Sequence, residues 1–166
     1  MLKKIMLCAS LLASMGLHAG ESWLSVEIPR IDVAEYHRPY VAIWIQSEDN
    51  SVTNIAVWYQ LRDGSDKGEE WLKDMRQWWR RSGRGLDMPV DGISGATQAP
   101  GEHRVALTEV LQSLPEGEYQ LRVEAAREVG GRELIDIPFA WPADKEQVLK
   151  AQGDSELGAL TFHLAP

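Results

Sequence analysis

Cysteine is almost missing from this chain, and the single one, Cys8, falls within the first ten residues. If that leading segment is removed on export, neither a disulfide framework nor a thiolate metal site is available to what remains. Positive charge is also scarce: 17 Lys and Arg stand against 25 Asp and Glu, a formal net charge of −8. That balance argues against DNA, RNA or an anionic membrane surface as a partner. After the N-terminus, no apolar run approaches the ~20 residues of a spanning helix. Phenylalanine is rare, with two residues, whereas tryptophan occurs seven times.

The N-terminus reads as a processing signal. Lys3 and Lys4 precede an apolar stretch from Ile5 to Leu17, which runs into the small-residue end Leu17-His18-Ala19. This order matches a secretory signal peptide cleaved after Ala19. Cys8 has Ile5-Met6-Leu7 before it, without the small residue a lipidation site needs, and is removed with the signal. The short, lysine-led segment is bacterial in style, so the expected destination is the periplasm. Losing Lys3 and Lys4 makes the mature chain more acidic still. Residues 20–166 have the length of one domain.

Most of the mature sequence has the period of two expected of strands. Leu24, Val26 and Ile28 alternate with polar neighbours. Tyr40 to Ile45 and Ile55 to Leu61 flank the turn signal Glu48-Asp49-Asn50-Ser51 and form a hairpin. Tyr119, Leu121, Val123 and Ala125 alternate strictly, and Gly130-Gly131 turns the chain into Leu134, Ile135, Ile137 and Phe139 as a second hairpin. Leu160, Phe162 and Leu164 close the chain. Five or six strands without a βαβ rhythm predict an all-β fold, an Ig-like antiparallel β-sandwich with one inserted Trp-rich α-helix. Ala143 to Gly153 is open between helix and loop.

The inserted helix is expected over Glu69 to Ser82, with acids in its first turn and arginines in its last, the charge order that suits the helix dipole. Trp71, Met75, Trp78 and Trp79 fall along one side of it. Trp44 and Trp58 are expected inside the sandwich, and Trp71 and Trp78 are expected to pin the helix to it. Arg80, Arg81 and Arg84 follow at once, and guanidinium groups suit phosphate as well as solvent.

Three histidines, His37, His103 and His163, lie far apart and lack ligand spacing, so no metal site is expected. Gly92-Ile93-Ser94-Gly95-Ala96 approaches the nucleophile elbow of serine hydrolases but ends in alanine, and the parallel sheet that the elbow requires is not indicated. Asp91, Ser94 and His103 remain a conceivable triad on an unrelated fold.

Asp91 to Thr97 is the most specific stretch. D-G-I-S-G-A-T resembles the D-x-x-[S/T]-G-A-[S/T] loop at which a periplasmic flavin transferase attaches flavin mononucleotide (FMN) through a phosphoester. Such loops occur in the flavinylated subunits of sodium-pumping quinone reductases and related electron-transfer proteins. The resemblance implies Thr97 as the acceptor hydroxyl, Gly95 and Ala96 as the small residues that let the transferase in, and Asp91 and Ser94 as recognition positions. It also implies a membrane-bound reductase as electron donor. Where those subunits carry a further hydroxyl after the acceptor, this chain has Gln98-Ala99-Pro100-Gly101. A covalent link suits an exported protein, which would lose a dissociable cofactor to dilution.

R-P-Y-V-A-I-W-I at residues 38–45, W-L-K-D-M-R-Q-W-W-R, D-G-I-S-G-A-T-Q-A-P-G and L-P-E-G-E-Y-Q-L-R-V-E-A-A-R-E-V-G-G-R-E together resemble a family of predicted periplasmic proteins, domain of unknown function 2271. L-P-E-G-E-Y-Q-L-R-V is also similar to the Ig-like module of flagellar hook-capping proteins. The expected function is therefore a periplasmic electron carrier with covalent FMN on Thr97, with Trp78 or Trp79 stacking on the flavin and Arg80, Arg81 or Arg84 near its phosphate. The alternatives are a cofactor-free Ig-like interaction module and a small hydrolase around Ser94.

Overall fold

A computed structural model describes residues 20–61 and 66–166. The signal peptide read over residues 1–19 lies outside the described residues. Nine strands occur among those described: β1 (Trp23–Ile28), β2 (Tyr40–Ser47), β3 (Val52–Tyr59), β4 (Ser94–Ala96), β5 (Gly101–Ala106), β6 (Gly117–Ala126), β7 (Arg132–Trp141), β8 (Gln147–Gln152) and β9 (Ala159–Leu164). They form a four-stranded sheet in the order β5-β1-β9-β8 and a five-stranded sheet in the order β4-β3-β2-β6-β7. The architecture is the expected all-β sandwich. Every pairing is antiparallel except that of β3 with β4.

The core between the sheets follows the alternation seen in the sequence. Leu24, Val26 and Ile28 of β1 and Leu160, Phe162 and Leu164 of β9 meet Val41, Ile43 and Ile45 of β2 and Leu121, Val123 and Ala125 of β6. Phe139 and Phe162 cross the gap edge to face, 5.2 Å between ring centres, a favoured aromatic geometry. The Tyr119 hydroxyl donates to the Pro115 carbonyl at 2.7 Å, the backward tie by which tyrosine corners brace Ig-like sandwiches.

β2 reads as a continuous apolar run because both its faces are covered. Ala42 and Trp44 point away from the sandwich into a second cluster with Val57, Tyr59, Leu72, Met75 and Trp78. Trp44 is thus buried as expected, but under the helical insertion rather than between the sheets, where Trp58 lies. A bulge in β3 makes this outer cluster possible. Register with β2 slips between Ile43/Ala56 and Trp44/Asn54, and the consecutive residues Ile55 and Ala56 both pack inward. The extra residue sends Asn54 to the outer face, where it accepts from Trp78 Nε1 at 2.8 Å and donates to Ser82 Oγ at 2.6 Å.

The insertion differs from the single α-helix expected over residues 69–82. Asp66–Asp74 is a 3-10 helix, and only Arg76–Arg81 is α-helical (α1). Leu72, Met75 and Trp78 are buried at steps of three, the period of a 3-10 turn. Trp71, expected to pin the helix, instead stands 48% exposed. Met75 supplies no side-chain cap to α1. Glu124 of β6 does so instead, accepting from the N–H groups of Gln77 (3.1 Å) and Trp78 (2.8 Å) while pairing with Arg132 at 2.6 Å. A carboxylate at that end satisfies donors that the helix cannot satisfy itself.

Three strands were not legible beforehand. β5 is a polar edge strand (G-E-H-R-V-A) whose Val105 packs on the core. β8 replaces the helix or loop considered for residues 143–153, pairing with β9 through Gln147 to Gln152. β4 lies inside residues 91–97, the stretch singled out for its motif. A short helix, α2 (Thr108–Gln112), precedes β6.

Candidate functional site

Asp91 and Gly92 open a tight turn, with Asp91 Oδ1 accepting the Gly92 N–H at 3.1 Å. Ser94 closes it: its Oγ accepts the Val90 N–H at 2.8 Å, and its own N–H donates to the Val90 carbonyl at 2.9 Å. Ile93 accepts from the Val57 N–H at 2.9 Å, and its side chain packs into the outer cluster. So anchored, Ser94–Ala96 runs parallel to Val57–Tyr59 as the outermost strand of its sheet. The Thr97 N–H then donates to the Tyr59 carbonyl at 3.2 Å. Gly95 lies flat on Trp58; a Cβ there would sit 3.1 Å from Cδ1 of the indole. Ala96 is exposed and Thr97 is half-buried.

Thr97 opens into a cleft of about 260 Å³, whose walls include Tyr36, Tyr40, Trp71, Arg38, Asp74 and Arg127. Five segments meet there: the approach to β2, the 3-10 helix, Gln60 after β3, Thr97 after β4 and Ala126, Arg127 and Glu128 at the end of β6. Tyr40 joins the first two by donating to the Gly68 carbonyl at 3.0 Å. Gly68 permits the close approach, because any Cβ would fall 1.9 Å from the Gln60 carbonyl oxygen. That contact sets the 3-10 helix against the end of β3 and leaves Trp71 facing the opening.

The charges of the cleft are mixed. Arg127 is committed to Glu156, with Nε–Oε2 2.7 Å and both side chains at least nine-tenths buried. Its guanidinium lies 5.9 Å from the Tyr36 ring. His37 stands between Glu35 (2.9 Å) and Glu128 (3.5 Å). Arg38 is exposed at the rim, and Asp74 and Glu128 add negative charge. Beneath β4, burial pushes the Tyr59 phenol above its usual value of 10 against a smaller pull from the Ser94 hydroxyl, with the charge of Glu69 adding to the rise. Tyr59 is therefore a neutral phenol at neutral pH.

The arginines and tryptophans following Met75 are not gathered around Thr97. Trp78 is fully buried. Trp79 and Arg80 line a separate, shallow cleft with Lys73, Arg76 and Arg132. Arg81 and Arg84 are exposed, and neither lines the cleft of Thr97. Asp91, Ser94, Gly95 and Ala96 form the turn and strand that deliver Thr97. Tyr36, Arg38, Tyr40 and Arg127 carry no local motif that could have pointed to them. Trp71 offered one sign, a large ring beside an already apolar stripe.

The triad candidates are each held locally. Ser94 Oγ takes the Val90 N–H, Asp91 the Gly92 N–H, and His103 Nε2 meets the Ala99 carbonyl at 2.7 Å. His103 belongs to β5 of the other sheet. His163 stacks on Trp23 with ring centres 3.7 Å apart, so the three histidines serve separate local structures.

Fold and site together define an exported β-sandwich with an irregular helical cover on one sheet and a hydroxyl-bearing edge strand at an aromatic cleft. The chain belongs to the family described as predicted periplasmic protein (DUF2271), whose family model matches residues 21–159. That description agrees with the compartment read from the N-terminus and assigns no reaction. No curated protein and no solved structure matches the chain.

Proposed function

We propose that this periplasmic protein is an electron carrier bearing FMN as a phosphoester on Thr97. The observation that carries the reading is the position of Thr97. It ends the D-x-x-S-G-A-T run, half-exposed, immediately after an outermost strand and on the wall of an aromatic cleft. A three-residue strand paired on one side only is accessible to a second enzyme, and the exposed Ala96 beside it offers no bulk against approach.

The link would be made by a periplasmic flavin transferase using a phosphoanhydride flavin donor. The Thr97 Oγ1–P bond would form as the anhydride P–O bond breaks, the nucleoside monophosphate half of the donor would leave, and the hydroxyl proton would pass to a base of the transferase. When bound, the flavin accepts electrons from a membrane-bound reductase and releases them onward. The protein's residues hold the ring system, limit its exposure and present it to partners.

Intact-mass measurement after maturation beside an active transferase tests the reading. The expected result is one FMN adduct in the wild type and none in Thr97→Val. An unmodified wild type, with a control substrate modified, rejects it.

One observation favours a second reading, a cofactor-free interaction module with a structural loop. Trp58 already requires a small residue at Gly95, whatever the transferase requires. The same spectrum separates the two.

A further inference from the structure

We propose that Trp71 is the stacking face for the isoalloxazine ring of the flavin esterified at Thr97, in place of the tryptophans of α1. The inference rests on the reading of Thr97 above and assigns the ring a definite site. Trp71 and Thr97 line the same cleft, whereas Trp78 is sealed in the outer cluster and Trp79 faces another surface. Trp71 is 48% exposed, in contrast to Trp44, Trp58 and Trp78, each at 8% or less. Leaving half an indole in water forgoes burial worth roughly 25 cal/mol per Å², and a planar ligand laid on it would recover that area.

The rest of the cleft suits a ring rather than a free phosphate. Tyr36 and Tyr40 add aromatic walls. Arg127 is already paired with Glu156, and Asp74 and Glu128 offset the charge of Arg38, so the cleft offers little to a free dianion while Arg38 can face the single charge of the phosphodiester at Thr97. At about 260 Å³, the cleft falls just short of the roughly 300–1,000 Å³ that encloses a small ligand. A tricyclic ring would rest against one wall with an edge in solvent, as electron exchange with a partner protein requires. The tether at Thr97 supplies the affinity that so open a cleft lacks.

Flavin emission tests this directly. An indole stacked on excited oxidised flavin donates an electron that returns at once, so light is lost without net chemistry. The full chain is matured beside the transferase as wild type, Trp71→Leu, Trp71→Phe and Trp79→Leu. Mass confirms the adduct, and emission per flavin is compared at equal absorbance. Emission should be strongly quenched in the wild type, recover severalfold in both Trp71→Leu and Trp71→Phe, since a benzene ring can stack but cannot donate the electron, and stay quenched in Trp79→Leu. Visible circular dichroism of the flavin should weaken in Trp71→Leu as the ring loses its fixed orientation. Modified Trp71→Leu with unchanged emission, or recovery in Trp79→Leu instead, overturns the assignment of Trp71 alone. A wild type without adduct overturns the reading of Thr97 and this assignment with it.

Discussion

The two faces of the five-stranded sheet are covered by different means, and the candidate site lies where one cover runs out. The inner face meets a second sheet of similar extent, so the apolar cluster continues from β1 and β9 across to β7. The outer face is covered by a short helical segment held through a few polar ties: Glu124 to the N-terminus of α1, Asn54 to Trp78 and Ser82, and Tyr40 to Gly68. Two sheets match over their length. A short run of 3-10 and α-helix cannot match five strands, so a seam stays open at the end of β3 and β4, and Thr97 sits in it. Sites arise readily where the packing partners differ in shape, because there the fold leaves surface that it has no use for.

The most severe way to break this comparison is Trp78→Ala, which removes the plug of the outer cluster and strands Asn54. It should cost about 3–5 kcal/mol in chemical denaturation followed by far-ultraviolet circular dichroism. Trp71→Ala, seven residues away on the open side, should cost under about 1 kcal/mol. Equal losses would abolish the distinction between plug and cleft wall.

Next is Glu124→Ala. Two backbone N–H groups of α1 lose their acceptor and Arg132 loses its partner, a change of about 2–3 kcal/mol. A shift in denaturation midpoint smaller than that of a surface substitution would mean that α1 is held by apolar packing alone.

The inner joint has its own polar tie, which pH can probe. Glu133 of β7 accepts N–H bonds from Asp154, Ser155, Glu156 and Leu157 in the β8–β9 connection, joining the sheets. Burial alone would raise its pKa, but the four donors together outweigh it and hold the carboxyl below its usual 4.5. A group depressed in the folded state stabilises the fold above its unfolded pKa and loses that contribution as pH falls toward the folded value. Wild type should therefore exceed Glu133→Gln in stability at neutral pH, and the gap should narrow as pH drops below about 4.5. A gap independent of pH would show that the carboxylate charge plays no part.

The smallest effect concerns the loop itself. Gly95→Ala presses a methyl group against Trp58 and should cost about 1 kcal/mol. Ala96→Ser, exposed one residue on, should stay within about 0.5 kcal/mol. If both substitutions are neutral in thermal melts, the small residues answer to something other than the fold, which is what a transferase-binding loop would require.

Legibility followed locality. β1, β6, β7 and β9 were readable from alternating side chains and β2 and β3 from runs of β-branched and aromatic residues, and Asn50, at φ 68° in the first hairpin, announced its turn. β5 and β8 escaped because neither strand buries any side chain fully, so little apolar pattern marks them. The 3-10 geometry escaped because Leu72, Met75 and Trp78 at steps of three fit a 3.6 period nearly as well over so short a span. Thr97 was legible as a motif, while the cleft around it was not: Tyr36, Tyr40, Trp71 and Arg127 approach one another only through the folded chain.

By itself, then, the sequence determined the periplasmic destination, the two-sheet core and the candidate acceptor hydroxyl, since each rests on residues adjacent or alternating along the chain. Only the tertiary structure decided which tryptophan is plug and which is cleft wall. A bulge at Ile55 and Ala56, a close approach at Gly68 and a cap donated by Glu124 set the phase of the helical segment, and each acts between residues that the sequence keeps far apart.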